Sequence, residues 1–500
     1  MPGEATAEVT TFPGLLRHNR VNHTAKPALI TEERAITHGE LDAASRALAA
    51  RFVAAGVGKG ARVGLLAPNG IEWAVTAAAV MRIGGVLVPL STLLRPPELE
   101  AQLRVASVTH LVLVPSFRGR AYLEDLEGVV PKVPSLRRVW TLDDPPSDAV
   151  DDQLVTALED VVRPADDLVV LFTSGSRGAP KGVVHTHGGA LRAVASGLDA
   201  RCIGPGDRLY IPMPFFWTGG FSSGLLSVLL AGATLITEAI PDPVRTLELL
   251  ERERVTLFRG WPDQAAALAA HPRFASTDLS SLGQGSLPAV LSADRRSAPG
   301  ARANVFGMTE TCGPYAGARL DRDLPAGARG SCGRPFDGFE VRIVAPEDGV
   351  GEICVRGPNV MRGICGRTRA ETFDADGWYP TGDLGSVDAA GYLRYRGRMD
   401  DMFKVGGATV YPSEVESALR AVPGVQQAHV TDVGGEVGAL VVSTVALVEL
   451  VRGARERLSA FKLPTRWVVA GSADTVPMTA TSKIDKAALQ ALLQREGSRG

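Results

Sequence analysis

The chain has 500 residues, 45% hydrophobic and 22% charged, with a formal net charge of −2. Such a length calls for more than one domain, and the composition is that of a soluble globular protein able to build a large core. The near-neutral balance, without a Lys/Arg run, excludes a general pull on nucleic acid.

Residues 1–11 are acidic and polar and lack the basic and apolar regions of a signal peptide. The longest apolar stretch, 224–236, is too short to cross a bilayer and reads as a buried helix followed by a strand. No transmembrane segment is expected. Cysteines stand at 202, 312, 332, 354 and 365 with no CxxC pair, so neither a zinc site nor a disulfide framework is indicated. Reduced thiols in a cytoplasmic protein are expected.

In chain order, Thr37 and Glu40 form a capping-box pattern ahead of Leu41, Ala44, Leu48 and Phe52, which predicts a helix stopped near Gly56 and Gly58. Strands are expected at 62–66, 86–90 and 111–114, with a helix over 71–83. The alternation resumes after Asp167: a strand at 168–172, a Gly/Ser loop, a helix from about Gly188, and strands at 209–211, 233–237 and 256–259. Strands alternating with helices imply parallel sheets covered on both faces. From 330 to 395, short strands at 340–344, 352–356 and 392–395 sit between Gly-rich turns and suggest a small β-barrel or distorted sheet. Beyond 398–401 lies an α+β segment with a helix from Pro412, strands at 427–431 and 439–444, and a helix through Leu458. The fold class is therefore α/β. A large N-terminal domain, 1–397, carries two doubly wound sheets and a small β-barrel. A small α+β domain follows at 398–500.

Five stretches carry chemistry. Thr173-Ser174-Gly175-Ser176-Arg177-Gly178-Ala179-Pro180-Lys181-Gly182 follows a buried strand, and its hydroxyls, glycines and cations suit phosphate oxygens. It is not a Walker A loop, whose glycine and lysine spacing differs. Phe306-Gly307-Met308-Thr309-Glu310 offers an aromatic face, a hydroxyl and a carboxylate; Mg²⁺ prefers few protein oxygens plus nucleotide phosphates. Gly377-Trp378-Tyr379-Pro380-Thr381-Gly382-Asp383 ends in a carboxylate able to accept two hydroxyls. Residues 395–404 and 477–486 follow, the second holding Lys483.

Together, in this order, the five resemble the motifs of the adenylate-forming enzymes: acyl-CoA synthetases, aryl-CoA ligases, luciferases and peptide-synthetase adenylation domains. The likeness runs from about Phe12 to Leu489. It implies that Thr173, Ser174, Gly175, Ser176, Gly178, Lys181, Phe306, Gly307, Thr309, Asp383 and Arg398 bind ATP or AMP. Glu310 and Thr173 would hold Mg²⁺. Lys483 matches the catalytic lysine between carboxylate and α-phosphate, and Asp400 the hinge between two domain arrangements. Lys404, Gly406 and Gly407 match positions at the phosphate and the pantetheine channel of coenzyme A. Trp217, in Pro214-Phe215-Phe216-Trp217-Thr218-Gly219-Gly220, stands where the family has an aromatic or His at its acyl tunnel.

The chain departs from the family at Ser176 and Arg177, where Thr-Thr is usual, and at Ser482 and Lys486, where Gly and Arg are usual. Segment 283–305 is shorter than in relatives, and the C-terminal domain is trimmed near 434–438. Amino-acid-activating relatives carry an Asp for the substrate ammonium, and none lies between Ile211 and Glu238. A buried ammonium would be unpaired and costly there, so a fatty or other apolar acid is expected. The expected activity is an ATP-dependent acid–thiol ligase, forming an acyl-adenylate and then an acyl-CoA thioester. Its partners are a small carboxylic acid, ATP and coenzyme A, with room for a homodimer. Transfer to a carrier protein and a non-catalytic nucleotide- or acyl-binding relative are the rival readings.

Overall fold

A computed structural model describes residues 9–173, 180–347, 349–405, 408–458, 460–479 and 483–499. The chain divides into two compact units, Met1–Glu340 with Arg356–Trp378, and Val341–Val355 with Tyr379–Gly500.

Two mixed sheets organise the first unit. One has five strands in the order Leu257–Phe258, Arg208–Tyr210, Thr234–Ile236, Pro27–Ile30, Ala35–Thr37. The first four run parallel, and the last turns back antiparallel. The other has seven strands in the order Gly363–Ile364, Lys181–Thr186, Asp167–Thr173, Val86–Leu90, Arg62–Leu66, His110–Leu113, Arg138–Thr141. Its last five strands are parallel. Leu168, Val169, Val170 and Leu171 are buried on both faces, which explains their unbroken apolar run. The helix His38–Ala54 begins as expected: Thr37 Oγ1 accepts from Glu40 N at 3.1 Å while the Glu40 carboxylate accepts from Thr37 N at 2.8 Å. The apolar stretch before the strand Thr234–Ile236 enters its helix through a π-helical turn, Phe221–Leu226.

The strand Lys181–Thr186 is an addition to the sequence expectation. It pairs antiparallel with Asp167–Thr173, and the strand Gly363–Ile364 pairs antiparallel with it in turn. The Gly/Ser stretch therefore stands between two neighbouring strands rather than between a strand and a helix. The region read as a small β-barrel or distorted sheet, 330–395, contributes strands to two small sheets among the described residues. A three-stranded one belongs to the first unit: Phe306–Met308, Gly313–Gly317 and Arg334–Pro335.

The second unit holds the other, of four strands: Glu340–Glu347, Val350–Arg356, Tyr379–Val387 and Leu393–Arg398. After the short turn Met399–Asp401 comes an α+β layer. Strands Val425–Asp432, Val437–Ser443, Arg466–Ala470 and Ser498–Arg499 form its sheet, with helices Pro412–Arg420, Leu447–Arg455 and Lys486–Glu496. Trp467, Val441, Leu450 and Leu419 lie in its core. The trimmed stretch is a hairpin turn through Gly434 and Gly435, both with positive φ. No helix among the described residues is long and apolar enough to cross a membrane.

Candidate functional site

Thr173 ends its strand directly opposite Lys181, so the two residues flank the mouth of the loop between them. Ser174, Gly175, Ser176 and Gly178 lie outside the described residues. Thr173 is at the carboxyl end of a strand beside the parallel Val86–Leu90, the side of an open α/β sheet where ligands bind.

Lys181 reaches across to the Glu310 carboxylate and forms an ion pair with it. Their side chains are only 17% and 6% exposed, so both charges are removed from most of the water. Glu310 lies in the one-turn segment Thr309–Thr311, which follows the strand Phe306–Met308. Its carbonyl accepts from Met361 N at 2.8 Å. The carbonyl of Thr309 accepts from His185 Nε2 at 2.7 Å, and the Thr218 hydroxyl donates to Thr309 Oγ1 at 3.1 Å. Burial pushes the His185 imidazolium down to about 4, against the opposing pull of the Thr309 carbonyl and Glu310, so the ring is neutral at physiological pH. Phe306 packs edge-on against Tyr315, ring centroids 5.5 Å apart. A Cβ on Gly307 would lie 2.3 Å from Gly313 O and 2.4 Å from Pro314 Cα, so only glycine lets this hairpin close.

On the neighbouring segment, Trp217 is half-buried and packs edge-on against Trp261 at 5.6 Å and Phe216 at 5.4 Å. Trp261 was missed from sequence. The signal was a Trp-Pro step right after a strand, but only the fold brings it to Trp217. Glu238, which closes the stretch that lacks Asp, is buried. Its Oε2 accepts from Tyr210 Oη at 2.6 Å and from Thr246 Oγ1 at 2.7 Å. Burial raises its carboxyl well above the usual range, and the nearby Glu32 adds to that rise.

In the second unit, Asp383 and Arg398 are antiparallel register partners, and their side chains pair at 3.0 Å. Arg398 also donates to Thr381 O at 2.9 Å. Gly382 has φ +72°, and a Cβ there would sit 2.9 Å from Arg398 Nη2, so glycine is required beneath the guanidinium. Lys483 is exposed, and its carbonyl accepts from Thr479 N at 2.7 Å. Lys486, three residues on, pairs with Asp401 of the segment Met399–Asp401. Asp400 lies in that same turn and Lys404 in the strand Phe403–Val405; only their backbone is described. Gly406 and Gly407 lie outside the described residues. The predicted residues thus fall into two sets: Thr173, Lys181, Phe306, Gly307, Thr309, Glu310 and Trp217 in the first unit, and Asp383, Arg398, Asp400, Lys404 and Lys483 in the second.

The family model "AMP-binding enzyme" matches residues 16–365. The chain is 36% identical to 3-[(3aS,4S,7aS)-7a-methyl-1,5-dioxo-octahydro-1H-inden-4-yl]propanoyl:CoA ligase of Mycobacterium tuberculosis, over 94% of this chain and 96% of that one. It is 34% identical to a feruloyl-CoA synthase of Amycolatopsis sp, over 90% and 93%. The crystal structure of ATP-bound MatB from Rhodopseudomonas palustris superposes with a TM-score of 0.79 at 26% identity, over 97% and 99%. The chain belongs to the AMP-binding enzyme family, among its adenylate-forming acyl- and aryl-CoA ligases.

Gly307→Ala is expected to lower both the unfolding temperature and adenylate formation, because its clash is with backbone that cannot rotate away; unchanged values for both would contradict the steric account. Glu238→Gln tests the buried carboxyl. A carboxyl raised on folding stabilises below its unfolded value and loses that contribution as pH rises. The variant should therefore melt higher than the parent at about pH 8, with the gain shrinking towards about pH 5. A pH-independent difference in thermal scans would refute it.

Proposed function

We propose that this enzyme activates an apolar carboxylic acid as its acyl-adenylate and then transfers the acyl group to the thiol of coenzyme A. The observation that carries this reading is the turn at Thr309 and Glu310, drawn to the loop mouth by Lys181 and tied through Thr218 to the segment bearing Trp217. Such a turn suits a triphosphate on one side and an acid held against Trp217 and Trp261 on the other. Glu238 accords with the apolar assignment, since it is buried and its Oε2 is held by Tyr210 and Thr246.

In the first half-reaction a carboxylate oxygen attacks the α-phosphorus, the bond to pyrophosphate breaks, and pyrophosphate leaves with its electron pair. Both reactants are anionic, so positioning and charge neutralisation dominate. Lys181 supplies positive charge at the loop mouth, and Lys483 is assigned the bridge between carboxylate and phosphate. Asp383 and Arg398 are assigned to the ribose. In the second half-reaction the thiol adds to the acyl carbon, its proton passes to solvent, and AMP departs. Asp400 is the proposed hinge between the two steps, with Lys404, Gly406 and Gly407 on the coenzyme A side.

Among the described residues no group of three or more His, Cys, Asp or Glu side chains is placed to hold a metal. A single buried carboxylate beside a hydroxyl-bearing strand end still fits Mg²⁺, which takes most of its ligands from water and nucleotide phosphates. Glu310 and Thr173 would hold it, and the ion would neutralise phosphate charge. A cytoplasmic setting accords with five free cysteines.

The test is pyrophosphate release with fatty, aryl and alicyclic acids, with and without coenzyme A. Apolar acids should support release, and thioester should form when coenzyme A is added. Acyl-AMP that accumulates despite coenzyme A would point to a carrier-protein acceptor; no release with any acid would sink the ligase reading. Lys483→Ala should slow adenylate formation by about a hundredfold, while thioester formation from supplied acyl-AMP is far less affected. Equal losses in both steps would remove Lys483 from the role.

A further inference from the structure

Thr309 is held at two points by residues to which the sequence assigned no role. His185 is 1% exposed, on the strand Lys181–Thr186, and its Nε2 meets the Thr309 carbonyl at 2.7 Å. A carbonyl only accepts, so the ring proton is on Nε2. The other ring nitrogen, Nδ1, is buried without a hydrogen-bond partner among the described residues. An imidazole that leaves one nitrogen unpaired in the interior costs free energy that an apolar side chain would avoid. What the ring provides in return is the bond to Thr309. The second point is the Thr218 hydroxyl, which donates to Thr309 Oγ1 at 3.1 Å. Thr218 directly follows Trp217 and opens the short turn Thr218–Gly220. A hydroxyl that accepts this bond keeps its own proton free to turn towards another acceptor.

We infer that His185 and Thr218 are positioning residues for adenylate formation: His185 fixes the backbone at Thr309, and Thr218 fixes its hydroxyl and links the acid side of the site to the phosphate side. The inference rests on the proposed function, since it presumes that Thr309 faces the nucleotide. The strand Lys181–Thr186 then works twice on the same turn. Lys181 holds the Glu310 carboxylate and His185 holds the preceding carbonyl, while Met361 N holds the Glu310 carbonyl. Free rotation of Thr309, or a slip of the peptide before Glu310, would misaim both groups, and preorganised donors lose their effect when misaimed.

The experiment compares Thr218→Val, which keeps shape without the hydroxyl, with Thr218→Ser, which restores it, and His185→Leu with His185→Gln. Pyrophosphate release should fall about tenfold in kcat for the Val and Leu variants, with the KM for ATP changed much less. Ser and Gln should recover most of the loss. Thioester formation from supplied acyl-AMP should stay near the parent rate in all four. Parent-like kcat in Thr218→Val and His185→Leu would overturn the inference. So would a loss that tracks a lowered unfolding temperature and is not recovered by Ser or Gln, since that marks a purely structural role. If the unsubstituted protein releases no pyrophosphate with any acid, the ligase reading itself fails. The clamp is then judged by the rise in unfolding temperature on adding ATP: a smaller rise in Thr218→Val than in the parent and Thr218→Ser supports it, and equal rises overturn it.

Discussion

The pairing of the Lys181 ammonium with the Glu310 carboxylate is the constraint around which the first unit's site is arranged. Two opposite charges are taken largely out of water, far apart in sequence, and held in contact by two separate β structures. Such a pair adds little net stability, because desolvation offsets most of the attraction. Losing one partner is another matter, since an isolated buried charge costs several kcal/mol, about 3 or more. The pair therefore acts as a geometric lock. It obliges the strand from Lys181 and the turn at Glu310 to stay in register, and it keeps both charges beside the loop that a polyanion would approach.

Each unit has a glycine on which local closure of the backbone depends. Gly307 lies against the Gly313–Pro314 backbone where no side chain fits, and Gly382 lies beneath the Arg398 guanidinium with positive φ. At Gly307 the glycine is demanded by another segment of backbone, and at Gly382 by its own left-handed backbone conformation. The aromatic-Gly-x-Thr-Glu and Thr-Gly-Asp stretches are thus partly packing requirements.

The acid side follows a different logic. Trp217, Phe216 and Trp261 form an edge-to-face aromatic cluster, a large apolar area whose ring geometry also discriminates shape. The nearest acidic residue of that stretch, Glu238, is buried and hydrogen-bonded within the sheet end. Thr218 joins this aromatic segment to Thr309, so the proposed acid and phosphate sides share one hydrogen bond. The second unit keeps Asp383 and Arg398 together as register partners, and it anchors the turn bearing Asp400 through Lys486 and Asp401.

The family, its reaction type and the more apolar of the strands were legible in the sequence, because they depend on local signals; others, such as Pro27–Ile30 and Tyr379–Val387, were not. The apolar run at 168–172, the capping box at Thr37 and Glu40, and five motifs in order need no knowledge of what packs against them. Ranges shifted by one to three residues at the ends, where propensity is weakest. What only the tertiary structure decided are contacts between distant segments. The strand Lys181–Thr186 escaped notice because a short run beside a Gly-rich loop has no periodicity of its own, and it forms because Asp167–Thr173 offers an open edge. The Lys181–Glu310 pair, the hold of His185 and Thr218 on Thr309, and the meeting of Trp217 with Trp261 leave no local trace. Hydrogen bonds and ring packing between such segments arise only when the sheets bring them within a few ångströms, and hydrophobic pattern carries no record of which polar side chains will then face each other.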